Sequence, residues 1–92
     1  MSAVLGIGTL RTMPRYLLRH VHPPEECGVA FAAFKGHDSP LRRQVTIASC
    51  ISGGHEIWWT VDARTERDAL ALLPSFVAAR TTATRVGEVE IP

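Results

Sequence analysis

The dipeptide Gly53-Gly54 constrains this chain more than any other feature, because it separates two β-rich runs, Val45 to Ser52 and His55 to Ala63. Adjacent glycines accept the positive φ angles that a tight antiparallel hairpin demands. With a two-residue turn, Ser52 pairs with His55, Cys50 with Ile57, Ala48 with Trp59 and Thr46 with Val61 on one face. The other face then carries Val45, Ile47, Ser49 and Ile51 opposite Asp62, Thr60, Trp58 and Glu56. A one-residue error in the turn would exchange the faces.

The remaining elements are read around this hairpin. Arg15 to His22 is β-compatible and is stopped by Pro23-Pro24. Pro24 suits a first helical turn, and Glu25 and Glu26 suit the positive end of the helix dipole. Cys27, Ala30, Phe31 and Phe34 then form an apolar stripe at helical spacing, ended by Gly36. After the hairpin, Thr65 resembles an N-cap with Asp68 three residues on, and Leu70, Leu73 and Val77 form a second stripe. Pro74 inside that stripe predicts a kink or break. Thr82 to Ile91 reads as a last strand. The order β-α-β-β-α-β is that of a ferredoxin-like α+β domain, with two helices on one face of a four-stranded antiparallel sheet. The domain covers residues 13–92, and residues 1–12, with Gly6 and Gly8, read as a flexible N-terminal extension.

Both faces of the hairpin hold large apolar groups, and helices can cover only one of them. Ile47, Ile51 and Trp58 would be left open, so a homodimer packed sheet to sheet is expected. The Arg15-Tyr16-Leu17-Leu18 opening, the Gly53-Gly54-His55-Glu56-Ile57-Trp58-Trp59 hairpin and Leu72-Leu73-Pro74 resemble small bacterial proteins of the dimeric α+β-barrel superfamily. The similarity spans 13–92. It implies a dimeric α+β barrel and a chemistry as varied as that superfamily's cofactor-free monooxygenases, isomerases, haem-handling and nickel-binding members.

Composition narrows the function classes. The 92 residues carry a net charge of +1, which gives no electrostatic footprint for nucleic acid. No apolar run approaches the roughly 20 residues of a membrane helix. Two cysteines are too few for a disulfide scaffold, and the start of the chain makes a poor signal peptide. A cytoplasmic location with free thiols is expected.

His20 and His22 lie two apart on the first strand and share a face with Tyr16 and Leu18, whereas Arg19 faces the other way. The Tyr16, Leu18 and His20 side is expected to point toward the helices, because burying Arg19 costs more than burying a neutral histidine. Imidazoles at this spacing can ligate a divalent transition metal, zinc or nickel. Cys50 and His55 would complete an N/S donor set with His20 and His22. Cys27, on the first helical stripe, reads as a small buried thiol. Tyr16, His20 and Trp59 are candidates to line a small-ligand pocket between helices and sheet. His20 and His37 are candidate acid–base groups, with Arg19 or Arg42 to orient an anionic substrate. Three functions follow: a homodimeric binding protein for a metal or small ligand, a cofactor-independent monooxygenase- or isomerase-like enzyme, or an interaction module without chemistry.

Overall fold

The computed structural model describes residues 13–92, so the expected N-terminal extension lies outside the described residues. The chain is α+β. Strands β1 (Arg15–Val21), β2 (Ile47–Ala48), β3 (Glu56–Asp62) and β4 (Thr81–Val86) form one antiparallel sheet in the order β2-β3-β1-β4. A 3-10 turn (Pro24–Glu26) leads into helix α1 (Cys27–Ala32) between β1 and β2. Helices α2 (Glu66–Leu70) and α3 (Ser75–Ala78) lie between β3 and β4.

Alternation along the strands sets the core. Tyr16, Leu18 and His20 of β1 and Ile57, Trp59 and Val61 of β3 are buried, together with Ala30, Ala69, Leu73 and Val77 from the helical segments. Leu18, Ile57 and Val77 are essentially fully buried, each contributing about 1.5–3 kcal/mol. The opposite face of the sheet holds Leu17, Arg19, Ile47 and Trp58, with Trp58 between Ile47 and Arg19. Leu17 is 37% exposed and Ile47 73%.

Helix boundaries follow local chemistry. Gly36, at φ 79°, closes the turns after α1. The Thr65 side chain accepts a hydrogen bond from the Asp68 amide at 3.0 Å, the expected N-cap. Pro74 divides the second apolar stripe into two short helices and itself caps α3 in extended conformation.

Three expectations need correction. The register of the β2–β3 hairpin is displaced by two residues: Ile47 faces Trp58 and Ala48 faces Ile57. A shift of two keeps Ile47 and Ala48, the residues that remain in the strand, on their expected faces. Its cause is a 3-10 turn at Cys50–Ser52, closed by Ser52 N–H to Ser49 C=O at 2.9 Å and Gly53 N–H to Cys50 C=O at 3.1 Å. Gly53 sits at φ 87°, and a Cβ on Gly54 would collide with the Ser49 side chain. The glycines therefore serve a longer connection, residues 49–55. The second strand consequently shrinks from 45–52 to Ile47–Ala48, and Ile51 lies in the turn rather than on the sheet. Finally, β4 stops at Val86, because its partner on β1 is Arg15, the first residue of that strand.

Candidate metal centre

Four ligand-type side chains meet at the end of the sheet where β1 finishes and β3 begins. His22 directly follows β1 and continues the buried face of Tyr16, Leu18 and His20. Pro23 and Pro24 end the strand and start the turn, which brings Cys27, the first residue of α1, back toward it. Cys50 begins the 3-10 turn, and His55 is the last residue before β3. The His22 amide donates to the His55 carbonyl at 3.2 Å and ties the two chain segments together.

The ligand atoms of His22, Cys27, Cys50 and His55 all lie within 4.8 Å of one another. Cys50 Sγ is 3.6 Å from His22 Nε2, and the rings of His22 and His55 meet edge-on at 5.6 Å between centroids. Around tetrahedral zinc, with Zn–S about 2.3 Å and Zn–N about 2.0–2.1 Å, donor atoms stand roughly 3.3–3.8 Å apart. The Cys50–His22 edge already has that length. The widest edge needs a contraction of about 1 Å, within reach of side-chain rotation.

His55 carries two costs in this arrangement. Its backbone is in the left-handed region at φ 64°, unusual for a non-glycine residue. Its Nδ1 is buried with no hydrogen-bond partner among the described residues. Such a strained backbone costs on the order of 1–3 kcal/mol, and an orphaned buried nitrogen about as much again. A metal bond to His55 would offset them.

The electrostatics favour neutral imidazoles. Burial pushes the His22 pKa down, and the adjacent His55 adds to the effect against a smaller opposing pull from Glu26. Burial also lowers His20, against an upward pull from its bond to the Val77 carbonyl. Neutral imidazole is the form that ligates a metal. The Cys50 thiol is pushed up by burial and by the neighbouring Cys27. Metal-free, the raised Cys50 thiol is protonated and poorly nucleophilic; a bound cation would displace the proton.

Comparison with family models, with curated proteins and with solved structures gives no match. The site therefore rests on its own geometry.

His20 supplies the clearest part of that geometry, although not as a ligand. It is fully buried, and its Nε2 lies 3.0 Å from His22 Nδ1. Its Nδ1 lies 3.2 Å from the Val77 carbonyl and 3.2 Å from Thr81 Oγ1. Thr81 donates its own hydroxyl proton to the Val77 carbonyl at 2.7 Å, so toward His20 it offers a lone pair. With both of these acceptors at Nδ1, neutral His20 carries its proton there and accepts at Nε2. His22 must then be protonated on Nδ1, which leaves the Nε2 lone pair aimed at Cys50 and the cluster. A hydrogen-bonded partner that sets the tautomer of a ligating histidine is the usual support of a metal site. Reading His20 as a ligand is thus corrected: its imidazole is committed on both nitrogens, and its place in the donor set is taken by Cys27.

The spacing of Cys27 fits the apolar stripe of the first helix, which hides its part in the cluster. A better signal was present: His22-x4-Cys27 and Cys50-x4-His55 are mirror-image pairs, each with the short spacing seen between zinc ligands. The turns inside the two pairs bring their ends together.

The other candidates disperse. Arg19 pairs with Glu56 at 2.9 Å on the open face of the sheet. His37 has its Nε2 buried without a partner among the described residues, away from the four ligand-type side chains. Trp59 and Arg42 line a separate cavity, whereas Tyr16 and His20 belong to the core. No helix among the described residues is long and apolar enough to cross a membrane.

Proposed function

We propose that this chain binds one divalent transition metal ion, zinc by the chemistry of its donors, through His22, Cys27, Cys50 and His55. The observation that carries this reading is the convergence of two imidazoles and two thiols within 4.8 Å, from segments far apart in sequence. Two sulfurs and two nitrogens make the S2N2 donor set typical of structural zinc sites, whereas nickel(II) and copper(II) favour nitrogen and oxygen donors. Four protein ligands leave no open position for a substrate, so the ion holds structure or is carried, rather than activating water. It would clamp the β1–α1 connection to the β2–β3 connection, and a core of this size gains much from such a clamp.

A ferredoxin-like relationship is part of the proposal. Its support is the β-α-β-β-α-β order and the strand order β2-β3-β1-β4, in which each helix-bearing connection skips one strand. A homodimer through the open sheet face is proposed as well, supported by exposed Leu17, Val21 and Ile47 beside Trp58. A cytoplasmic setting fits two thiols that must stay reduced to act as ligands.

The test is metal titration of chelator-stripped protein with Co2+, followed by displacement with Zn2+. The expected result is a 1:1 complex with the intense visible absorption of a tetrahedral thiolate–imidazole site, bleached by zinc. Absence of stoichiometric uptake, or uptake unchanged in the Cys27→Ser variant, would overturn the assignment.

A further inference from the structure

A cavity of about 400 Å³ opens between α1, the loop that follows it and the helix-side face of β3. Its volume is in the range of about 300–1,000 Å³ typical of small-molecule sites. The floor is apolar and aromatic, built from Phe34, Leu41 and Trp59, with the exposed Phe31 at its edge. The rings of Phe34 and Trp59, both in the lining, pack against each other with centroids 6.0 Å apart at 45°. The rim is of one sign: Lys35, Arg42 and Arg43, with no acidic residue in the lining. Among the described residues no ion pair engages these three cations. Three cations outside any ion pair, gathered at one mouth, stand out in a chain whose net charge is only +1.

The loop is built to hold this arrangement. The Leu41 amide donates to Ser39 Oγ and the Arg42 amide to the Ser39 carbonyl, each at 3.2 Å. That turn sets Leu41 into the floor while Arg42 and Arg43 stay at the rim. Arg43 is held at φ 64°, a backbone conformation that a non-glycine residue adopts only when its surroundings impose it.

We infer that this cavity binds a small organic anion with a planar apolar body, of the arene carboxylate class. The ring system lies against Phe34 and Trp59, and the carboxylate meets the guanidinium groups of Arg42 and Arg43, whose planar forks match its two oxygens. A neutral ring would leave the cationic rim unpaired, and a bare inorganic anion would leave the aromatic floor unfilled. This inference is independent of the metal cluster, which shares no residue with the cavity.

The test uses the full chain and three probes: 2-naphthoate, its neutral analogue 2-naphthamide, and inorganic phosphate. Binding is read by isothermal titration calorimetry and by tryptophan fluorescence, to which Trp59 in the cavity floor responds. The expected result is 1:1 binding of naphthoate, with the amide at least about tenfold weaker because it cannot form the charge-assisted pair. The Arg42→Gln, Arg43→Gln double variant should lose about the same factor for naphthoate and little for the amide. Both arginines are on a surface loop, so the variant retains its core, and an unchanged thermal melt checks this. No naphthoate binding at millimolar concentration, equal affinity for acid and amide, or an unaffected double variant would each overturn the inference. Displacement of naphthoate by phosphate at comparable concentration would mark a bare anion site and overturn the aromatic assignment.

Discussion

The hydrogen-bonded relay behind His22 makes a quantitative prediction through His20→Leu. Leucine fills a similar volume in a fully buried position but removes the acceptor for His22 Nδ1. The Val77 carbonyl keeps its partner, because Thr81 still donates to it at 2.7 Å. The change therefore orphans one buried donor, on His22, and should cost the metal-free protein about 1–3 kcal/mol. Metal affinity should fall as well, because His22 loses the partner that sets its tautomer and ring orientation. Losses of this kind are typically about 10–100-fold. At free zinc of 100 times the wild-type Kd, the wild type gains about 2.7 kcal/mol from binding, whereas the variant gains only about 0.4–1.4. For a domain of this length, 1 kcal/mol is about 4–8 °C in Tm, so the zinc-induced shift should shrink by roughly 5–18 °C. The assay is a pair of thermal melts with buffered zinc and with chelator, alongside a competition titration with a chromophoric chelator. A variant that loses stability but binds zinc within about threefold of wild type would refute the relay as a support of the metal site.

Other consequences are equally direct. Cys27→Ser should weaken zinc binding more than His20→Leu does, because it removes a donor atom; competition titration compares them, and the reverse ranking would remove Cys27 from the site. The metal-free protein should have a bell-shaped stability profile when melted with chelator from about pH 5 to 10. His20 and His22 titrate below 6.5 when folded, so their contribution is complete above that value and is lost as pH falls below it. Cys50 titrates above 9.0 when folded, so its contribution is present below that value and is lost as pH rises through the higher folded pKa. A flat profile would contradict both shifts. Trp58→Glu should move the species seen by analytical ultracentrifugation from dimer to monomer, by placing an unpaired charge in the proposed interface; a persistent dimer would locate the interface elsewhere. Thr65→Ala should lower stability by about 1 kcal/mol through loss of the α2 cap, measured by denaturant unfolding.

Which residues face the core was legible in the sequence, because a two-residue period and a burial cost decide it locally. Arg19 could not be buried cheaply, so Tyr16, Leu18 and His20 had to be, and they are. The cap at Thr65 and the break at Pro74 are equally local, set by a side-chain oxygen and a missing amide proton. The hairpin register was not legible. Two glycines permit a two-residue turn, but they also permit the 3-10 turn at Cys50–Ser52, and the close approach of Gly54 to Ser49 belongs to the second solution.

That difference is what creates the candidate site. In the tighter hairpin Cys50 would pair with Ile57 inside a strand. In the observed turn its sulfur stands 3.6 Å from His22. The sequence by itself determined the residue types, the α+β alternation, the buried face of β1 and the presence of imidazoles and thiols in short-spaced pairs. Only the tertiary structure decided that Cys27 joins the cluster while His20 stands behind it. The physical reason is that the choice depends on long-range contacts. His20 is claimed by Val77 and Thr81, more than fifty residues away in sequence, and that commitment turns His22 toward the sulfurs. Periodicity along one strand carries no information about a carbonyl at the end of a helix on the other side of the chain.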